Sequence, residues 1–172
     1  DDATDLFAIR IETYTERRAY QIAPEYRQRG FMVVLGVFHA TLCPEEASMF
    51  ADAVIIGEAD GQWENVIDDV RHDTLQTFYR QDARPNLNLT RIDRSIFEGK
   101  QYVPVTLIEA GRGCHFRCEY CAVQSYFGAT QKRRPIDHIL EEVAAARKRN
   151  SFYFFVDDNI TSNFEEAQDL YR

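Results

Sequence analysis

The sequence predicts an α/β protein built on parallel strands, and two observations carry that prediction. Short apolar runs alternate along the chain with stretches of helical period. One of these runs, Phe31 to Leu35, is apolar without a break, as a strand covered on both faces requires. A third observation divides the chain. From Gln81 to Gln101 the pattern lapses into QDARPNLNLTRIDRSIFEGKQ, which has no sustained period. The expected organisation is therefore one domain over residues 1–80, a linker over 81–101 and a second domain over 102–172.

In chain order, Leu6 to Ile11 reads as a strand. A helix follows from about Glu16 to Arg29, with Ala19, Ile22, Ala23 and Tyr26 on one face and Gly30 as its stop. Pro24 lies inside that stretch and predicts a kink or an interruption. After the Phe31 to Leu35 strand, Pro44, Glu45 and Glu46 open a short helix, the proline at a first-turn position. Ala53 to Ile56 is the next strand, and a helix then turns Trp63, Val66, Ile67 and Val70 toward a core. Thr74 to Tyr79 reads as an edge strand. In the second domain a strand from Val103 to Ile108 leads into a cysteine-bearing loop. Pro135 opens a helix with Ile136, Ile139, Leu140 and Val143 at helical spacing, and Arg147, Lys148 and Arg149 suit its C-terminal dipole. Ser151 to Val156 is a strand ending in Asp157, Asp158 and Asn159, and Ser162 with Glu165 has the pattern of a capping box for a last helix. The Lys132, Arg133, Arg134 run reads as a solvated basic turn, with contact to a carboxylate or phosphate as the alternative. Both ends of the chain are abrupt, which suggests a piece of a longer protein.

Composition narrows the functional classes. With 172 residues, 45% of them hydrophobic, the chain can bury one good core or two small ones. A net charge of −8 argues against a nucleic-acid partner held through phosphates. No apolar run approaches the length of a membrane span, and DDATDLFAIR lacks the basic and apolar regions of a signal peptide. A cytoplasmic protein is expected.

Chemistry concentrates in GRGCHFRCEYC, where Cys114, Cys118 and Cys121 fall within eight residues. That spacing lets one loop present three thiolates to one side of a compact metal core. A cubane iron–sulfur cluster held by three cysteines keeps one iron without a protein ligand. Gly111 and Gly113 allow backbone N–H groups to approach sulfur, Phe116 and Tyr120 can shield a cluster, and Arg112 and Arg117 can offset its charge. A structural zinc ion would want a fourth ligand, from His115 or the distant Cys43, and plain loop cysteines stay open as a third reading.

The strand running into Cys114, Cys118 and Cys121, with Tyr120 before the last cysteine, resembles the signature of the radical SAM superfamily. The resemblance implies that these cysteines hold a [4Fe-4S] cluster whose open iron binds S-adenosylmethionine. Reductive cleavage then yields a 5′-deoxyadenosyl radical, with electrons supplied by a donor such as flavodoxin or ferredoxin. It also implies a SAM site shaped by Tyr120 and by Asp157, Asp158 and Asn159 at the end of the next barrel strand; a turn-and-cap role for Asp157 and Asp158 is the alternative. Upstream, RRAYQIAPEYRQRG, VVLGVFHATLCPEEA and ADAVIIGEADGQWENVIDD are similar to the cobalamin-binding domain that precedes the core in one subgroup. On that likeness the fold is a partial Rossmann-like (flavodoxin-like) cobalamin-binding-type domain followed by the first βα units of a radical SAM partial TIM barrel. Cobalamin contacts would fall on Thr13, Gly36, His39, Thr41, Gly57 and Glu58. Two departures stand out: Val37 occupies a position where the subgroup usually has a second glycine, and Arg10 one where a small hydroxyl residue is common.

The expected function is reductive SAM chemistry, with cobalamin-dependent methyl transfer to an unactivated carbon of a small-molecule or lipid substrate. The alternative is a non-catalytic metal or Fe–S binding module. Because a radical SAM barrel needs more βα units than this chain supplies, the isolated 172 residues are expected not to turn over.

Overall fold

The computed structural model describes residues 5–89, 92–97, 99–147 and 152–172. They form two compact units, Asp1–Pro85 and Asn86–Arg172.

The first unit is built on β1 (Leu6–Arg10), α1 (Glu16–Gln28), β2 (Met32–Gly36), α2 (Phe38–Leu42), α3 (Pro44–Ser48), β3 (Ala53–Ile56), α4 (Trp63–His72) and β4 (Phe78–Arg80). The strands make one all-parallel sheet in the order β1-β2-β3-β4, with Leu6 opposite Met32, Val34 opposite Ala53 and Val54 opposite Phe78. Alternation along β2 explains its unbroken apolar run. Val33 and Leu35 pack with Ile11, Ala19 and Ala23 on one face, while Val34 packs with Ile55, Val66 and Tyr79 on the other. Each fully buried Val, Leu or Ile contributes about 1.5–3 kcal/mol relative to exposure, so β2 and β3 hold this unit together.

Three local expectations change here. The helix α1 runs through Pro24 without ending, its small Ala19 and Ala23 buried against the sheet. Proline removes one hydrogen bond at that turn, and tertiary burial outweighs the loss. The edge strand β4 covers only Phe78–Arg80, because Thr74 belongs to the end of α4, where its N–H and hydroxyl donate to the Asp69 carbonyl. A helix not expected from the sequence, α2, starts directly after Val37, which sits at φ 80° and ψ −158°. That is backbone territory for glycine, and a β-branched residue held there costs on the order of 1–3 kcal/mol.

The second unit holds short 3₁₀ turns at Leu87–Leu89 and Ser95–Phe97, then β5 (Val105–Ile108), β6 (Gly111–Gly113), α5 (Ala122–Phe127), β7 (Gln131–Arg133), α6 (Ile136–Ala146), β8 (Phe152–Phe155) and α7 (Phe164–Tyr171). β5 and β8 pair in parallel, Val105 opposite Phe152 and Ile108 opposite Phe155. β6 and β7 form a small antiparallel ladder that the sequence did not announce. Ile108, Ala110 and Ile139 form the core, with Val143, Tyr153, Phe155 and Leu170 packed against it. The opposite face of the β5–β8 pair carries Val105, Leu107, Phe152 and Phe154, all exposed within this unit.

Two sequence readings are corrected in this unit. Arg133 and Arg134 are not a solvated turn. Arg134 is buried, its Nη1 2.7 Å from Glu142 and 2.8 Å from the Glu109 carbonyl, and Arg133 pairs with Glu166 at 2.8 Å. The last helix is capped by Asn163, whose side chain accepts from the Glu166 N–H, because Ser162 is engaged elsewhere. Arg147 caps α6, whereas Lys148, Arg149 and Ser151 lie outside the described residues, as do Thr90, Arg91 and Glu98 of the expected linker.

Candidate functional site

Parallel strands deliver the residues that follow them to one end of the sheet, which is where ligand-facing groups sit in βα architectures. The connections after β5 and β8 therefore lie side by side. Val156 continues the ladder by donating its N–H to the Ile108 carbonyl at 2.9 Å. One step further, Asp157 Oδ2 accepts the Ala110 N–H at 3.0 Å, and Asp158 Oδ2 accepts the Gly113 N–H at 2.7 Å. Asn159 Nδ2 lies 3.6 Å from Cys114 Sγ, and the Asn159 carbonyl accepts from the Gln131 side chain at 2.9 Å. Ser162 Oγ accepts the His115 N–H at 3.3 Å and lies 2.7 Å from His115 Nδ1. The cysteine loop is thus fastened along its whole first half to the segment that follows β8.

Two glycines make this possible. A Cβ on Gly111 would stand 2.7 Å from the Lys132 carbonyl across the β6–β7 ladder, a backbone atom that cannot step aside. Gly113 adopts φ 86° just where the chain turns toward Cys114. Beyond the turn, the Cys121 N–H donates to the Cys118 carbonyl at 3.1 Å, and Cys121 is the N-cap residue of α5.

All four cysteines are free thiols, Cys118 exposed and Cys114, Cys121 and Cys43 half-buried. Tyr120 is exposed; the negative charge of Cys118 and a hydrogen bond to it, reinforced by Cys121, push its phenol above the ordinary tyrosine range. Phe116 is exposed too, so within this unit neither aromatic covers the sulfurs. Arg112 pairs with Glu109 at 2.8 Å. Among the described residues, one group of three His, Cys, Asp or Glu ligand atoms lies within 4.8 Å of one another, and it is His39, Cys43 and Glu46.

Burial pushes the Asp157 carboxyl above the ordinary aspartate range, against the opposing pull of the Ala110 and Gly111 N–H groups and the Arg133 charge. With the folded pKa raised, the folded state holds its proton more tightly than the unfolded chain. Stability from this group is full below the ordinary aspartate pKa and is lost as pH rises through the raised value. Asp157→Asn, which keeps an oxygen acceptor for Ala110, should flatten that part of the stability–pH curve. Urea midpoints of both proteins from pH 3 to 8 (roughly) measure it, and an unchanged slope would refute the assignment.

In the first unit, Gly36 ends β2, and Thr13, His39, Thr41, Gly57 and Glu58 follow the C-terminal ends of β1, β2 and β3. The Gly57 N–H donates to Thr41 Oγ1 at 2.8 Å, and Gly57 has open space where a side chain would begin. Glu58 is held by Arg84 at 2.7 Å. His39 is buried, its Nδ1 3.4 Å from Thr13 Oγ1 and its Nε2 3.5 Å from Glu46.

Sequence reasoning singled out the cysteines and the Asp157–Asn159 run but missed the bonds between them; it read Ser162 as a helix cap, not as a partner of His115, and did not single out Gln131. Only the pairing supplies those bonds: the β5–β8 register sets Ile108 opposite Phe155, and the same offset carries Ala110 to Asp157 and His115 to Ser162.

No family model matches the chain. It is 31% identical over 182 residues to bacteriochlorophyllide d C-8(2)-methyltransferase of Chlorobaculum tepidum, an alignment that covers 95% of this chain and 40% of that protein. It is 27% identical over 146 residues to the hopanoid C-2 methylase of Rhodopseudomonas palustris, covering 80% of this chain and 27% of that one. Among solved structures it superposes on TsrM, a radical S-adenosylmethionine methyltransferase from Kitasatospora setae, with a TM-score of 0.72 at 14% identity, over 96% of this chain and 39% of the other. The chain spans 40% or less of the length of each of these proteins. The alignments to the two methyltransferases run through both units in one order, and the superposition on TsrM shows the same fold, so that with the cysteine loop after β5 the chain is similar to radical SAM methyltransferases over nearly its whole length.

Proposed function

We propose that the second unit is the N-terminal part of a radical SAM core in which Cys114, Cys118 and Cys121 hold a [4Fe-4S] cluster, and that the whole protein is a methyltransferase. The observation that carries this reading is the fastened loop. Its backbone is fixed by Asp157, Asp158 and Ser162, while none of its three cysteines is spent on a disulfide. Three thiolates from one loop suit a cubane that keeps one iron without a protein ligand. Held by these cysteines and reduced by an external donor, such a cluster would supply the one electron that cleaves the sulfonium of S-adenosylmethionine to methionine and a 5′-deoxyadenosyl radical.

The chain's own residues then divide the work. Asp157 and Asp158 each spend one oxygen on the loop's backbone, which makes them positioning residues for the cysteines. Asn159 orients its amide toward Cys114 Sγ, a weak donor to a ligating sulfur. Tyr120, exposed beside Cys118, is the group we assign to SAM itself. The apolar face of Val105, Leu107, Phe152 and Phe154 supports a barrel interior completed by further strands.

The first unit supports a cobalamin site at the rim formed by Thr13, Gly36, Thr41, Gly57 and Glu58, with the open space at Gly57 allowing a close approach. A bound cobalamin would supply the methyl carrier. His39 does not fit as its axial ligand, because its Nε2 is buried and turned toward Glu46. The finer reading is methyl transfer to an unactivated carbon, with a low-potential electron donor as partner. No helix among the described residues is long and apolar enough to cross a membrane.

The test is EPR of the anaerobically reconstituted, reduced protein, extended past Arg172 to the length of its relatives, with and without S-adenosylmethionine. A [4Fe-4S] signal that shifts on adding SAM is expected. A cluster indifferent to SAM, or no cluster, would move the reading to a binding module without SAM chemistry.

A further inference from the structure

His39, Cys43 and Glu46 follow one another at steps of four and three residues across α2 and α3, which keeps them on one face through the break at Cys43. The Cys43 N–H closes the last turn of α2 on the His39 carbonyl at 2.8 Å, while Pro44 begins α3. Cys43 is the N-cap residue of α3, yet its side chain makes no capping hydrogen bond and stays available. One ligand atom from each residue (an imidazole nitrogen, a thiol sulfur, a carboxylate oxygen) lies within 4.8 Å of the others.

The buried end of the group is unsatisfied. His39 Nε2 is a buried nitrogen with no hydrogen-bond partner, on a side chain that is 9% exposed, and it faces Glu46 Oε1 at 3.5 Å. An orphaned polar atom inside a protein normally signals a missing partner. The surroundings resemble those of a ligating histidine. Thr13 Oγ1, 3.4 Å from Nδ1, can accept its proton and leave the Nε2 lone pair free. The Tyr20 ring packs edge-on against His39 at 6.0 Å, and its hydroxyl is likewise buried without a hydrogen-bond partner.

We propose that His39 Nε2, Cys43 Sγ and a Glu46 carboxylate oxygen form a binding site for a borderline-soft divalent transition metal, zinc being the natural occupant, with a fourth position open to water. Zinc bonds of about 2.0–2.1 Å to imidazole, 2.3 Å to thiolate and 2.0–2.2 Å to carboxylate imply ligand separations of about 3.3–3.8 Å around a tetrahedral ion. The 3.5 Å His39–Glu46 distance already matches that requirement, and the half-buried Cys43 and exposed Glu46 need only rotamer adjustment to complete it. A mixed nitrogen, sulfur and oxygen set disfavours magnesium and calcium. The site lies wholly in the first unit and does not depend on the cluster or on cobalamin.

Cobalt(II) is the probe, because thiolate coordination gives it a charge-transfer absorption. In the full chain carrying Cys114→Ala, Cys118→Ala and Cys121→Ala, Cys43 is the remaining cysteine. Anaerobic titration should develop the thiolate–cobalt band to one equivalent, and zinc should displace it. Adding Cys43→Ser should abolish the band, and adding Glu46→Gln should weaken binding by about 10–100-fold. A band that survives Cys43→Ser, or no band in excess cobalt, overturns the proposal. Should the triple variant fail to fold, zinc stoichiometry of the otherwise unaltered chain decides instead: Cys43→Ser must lower it by one equivalent, and an unchanged value refutes the site. Neither readout uses SAM, so failure here leaves the methyltransferase reading standing, and the reverse also holds.

Discussion

Alanine in place of Cys121 should abolish both the reduced-cluster EPR signal and deoxyadenosine release in the extended protein. Cys121 opens α5 at a backbone position set by its hydrogen bond to the Cys118 carbonyl, so no neighbouring side chain can take over its place. Two remaining thiolates leave a cubane with two irons unligated, and the site loses the one-open-iron arrangement on which SAM binding depends. Activity should fall to background, the largest effect of any single change in the chain. His115→Gln provides the contrast: His115 is engaged with Ser162 at 2.7 Å, so iron content and the EPR signal should persist. Loss of metal in that variant would favour a zinc site of three cysteines and one histidine. The 172 residues alone should bind iron without releasing deoxyadenosine. Release by this piece that disappears with Cys121→Ala would show that the further strands are dispensable.

Glu142→Gln should destabilise the second unit by about 3–5 kcal/mol, the cost of leaving buried guanidinium groups without their counter-charge. Glu142 on α6 has a side chain 7% exposed and receives both Arg134, at 2.7 Å, and Arg94. The two arginines in turn hold the end of β5, Arg134 through the Glu109 carbonyl and Arg94 through that of Leu107. A loss of this size is a large share of the 5–15 kcal/mol (roughly) that keeps a domain folded. Hydrogen exchange is the measurement, because it reads β5 and β8 separately from the first unit. Protection at Val105–Ile108 should collapse in Glu142→Gln while protection in β2 and β3 stays. The triple change Glu142→Leu with Arg134→Met and Arg94→Met should recover much of the loss, since it removes both stranded charges as well as their partner. Equal protection in wild type and Glu142→Gln would show that the pair contributes nothing.

The division between legible and illegible features follows the range of the interactions. Strands such as β2 and β3 were readable because burial on both faces of a parallel sheet demands unbroken apolar runs, a local property of sequence. The helices α1, α4 and α6 were readable for the same kind of reason, an apolar stripe at a period of 3.6 residues. The short β6–β7 ladder carries no such pattern; Gly111–Gly113 pairs with Gln131–Arg133 only because the chain between them folds back. Arg134 looked like solvent-facing charge, and only the approach of Glu142 from α6 makes it a buried ion pair.

By itself the sequence determined the α/β class, the strands with hydrophobic runs and the three clustered cysteines, since periodicity and ligand spacing are written in adjacent residues. The tertiary structure decided what fastens those cysteines, through Asp157, Asp158 and Ser162 (some 45–47 positions away), and what gathers His39, Cys43 and Glu46 around a buried nitrogen. The physical reason is that a hydrogen bond or a ligand set requires two backbones to be brought to within a few ångströms, and strand register and helix packing do that, not the residues' own order.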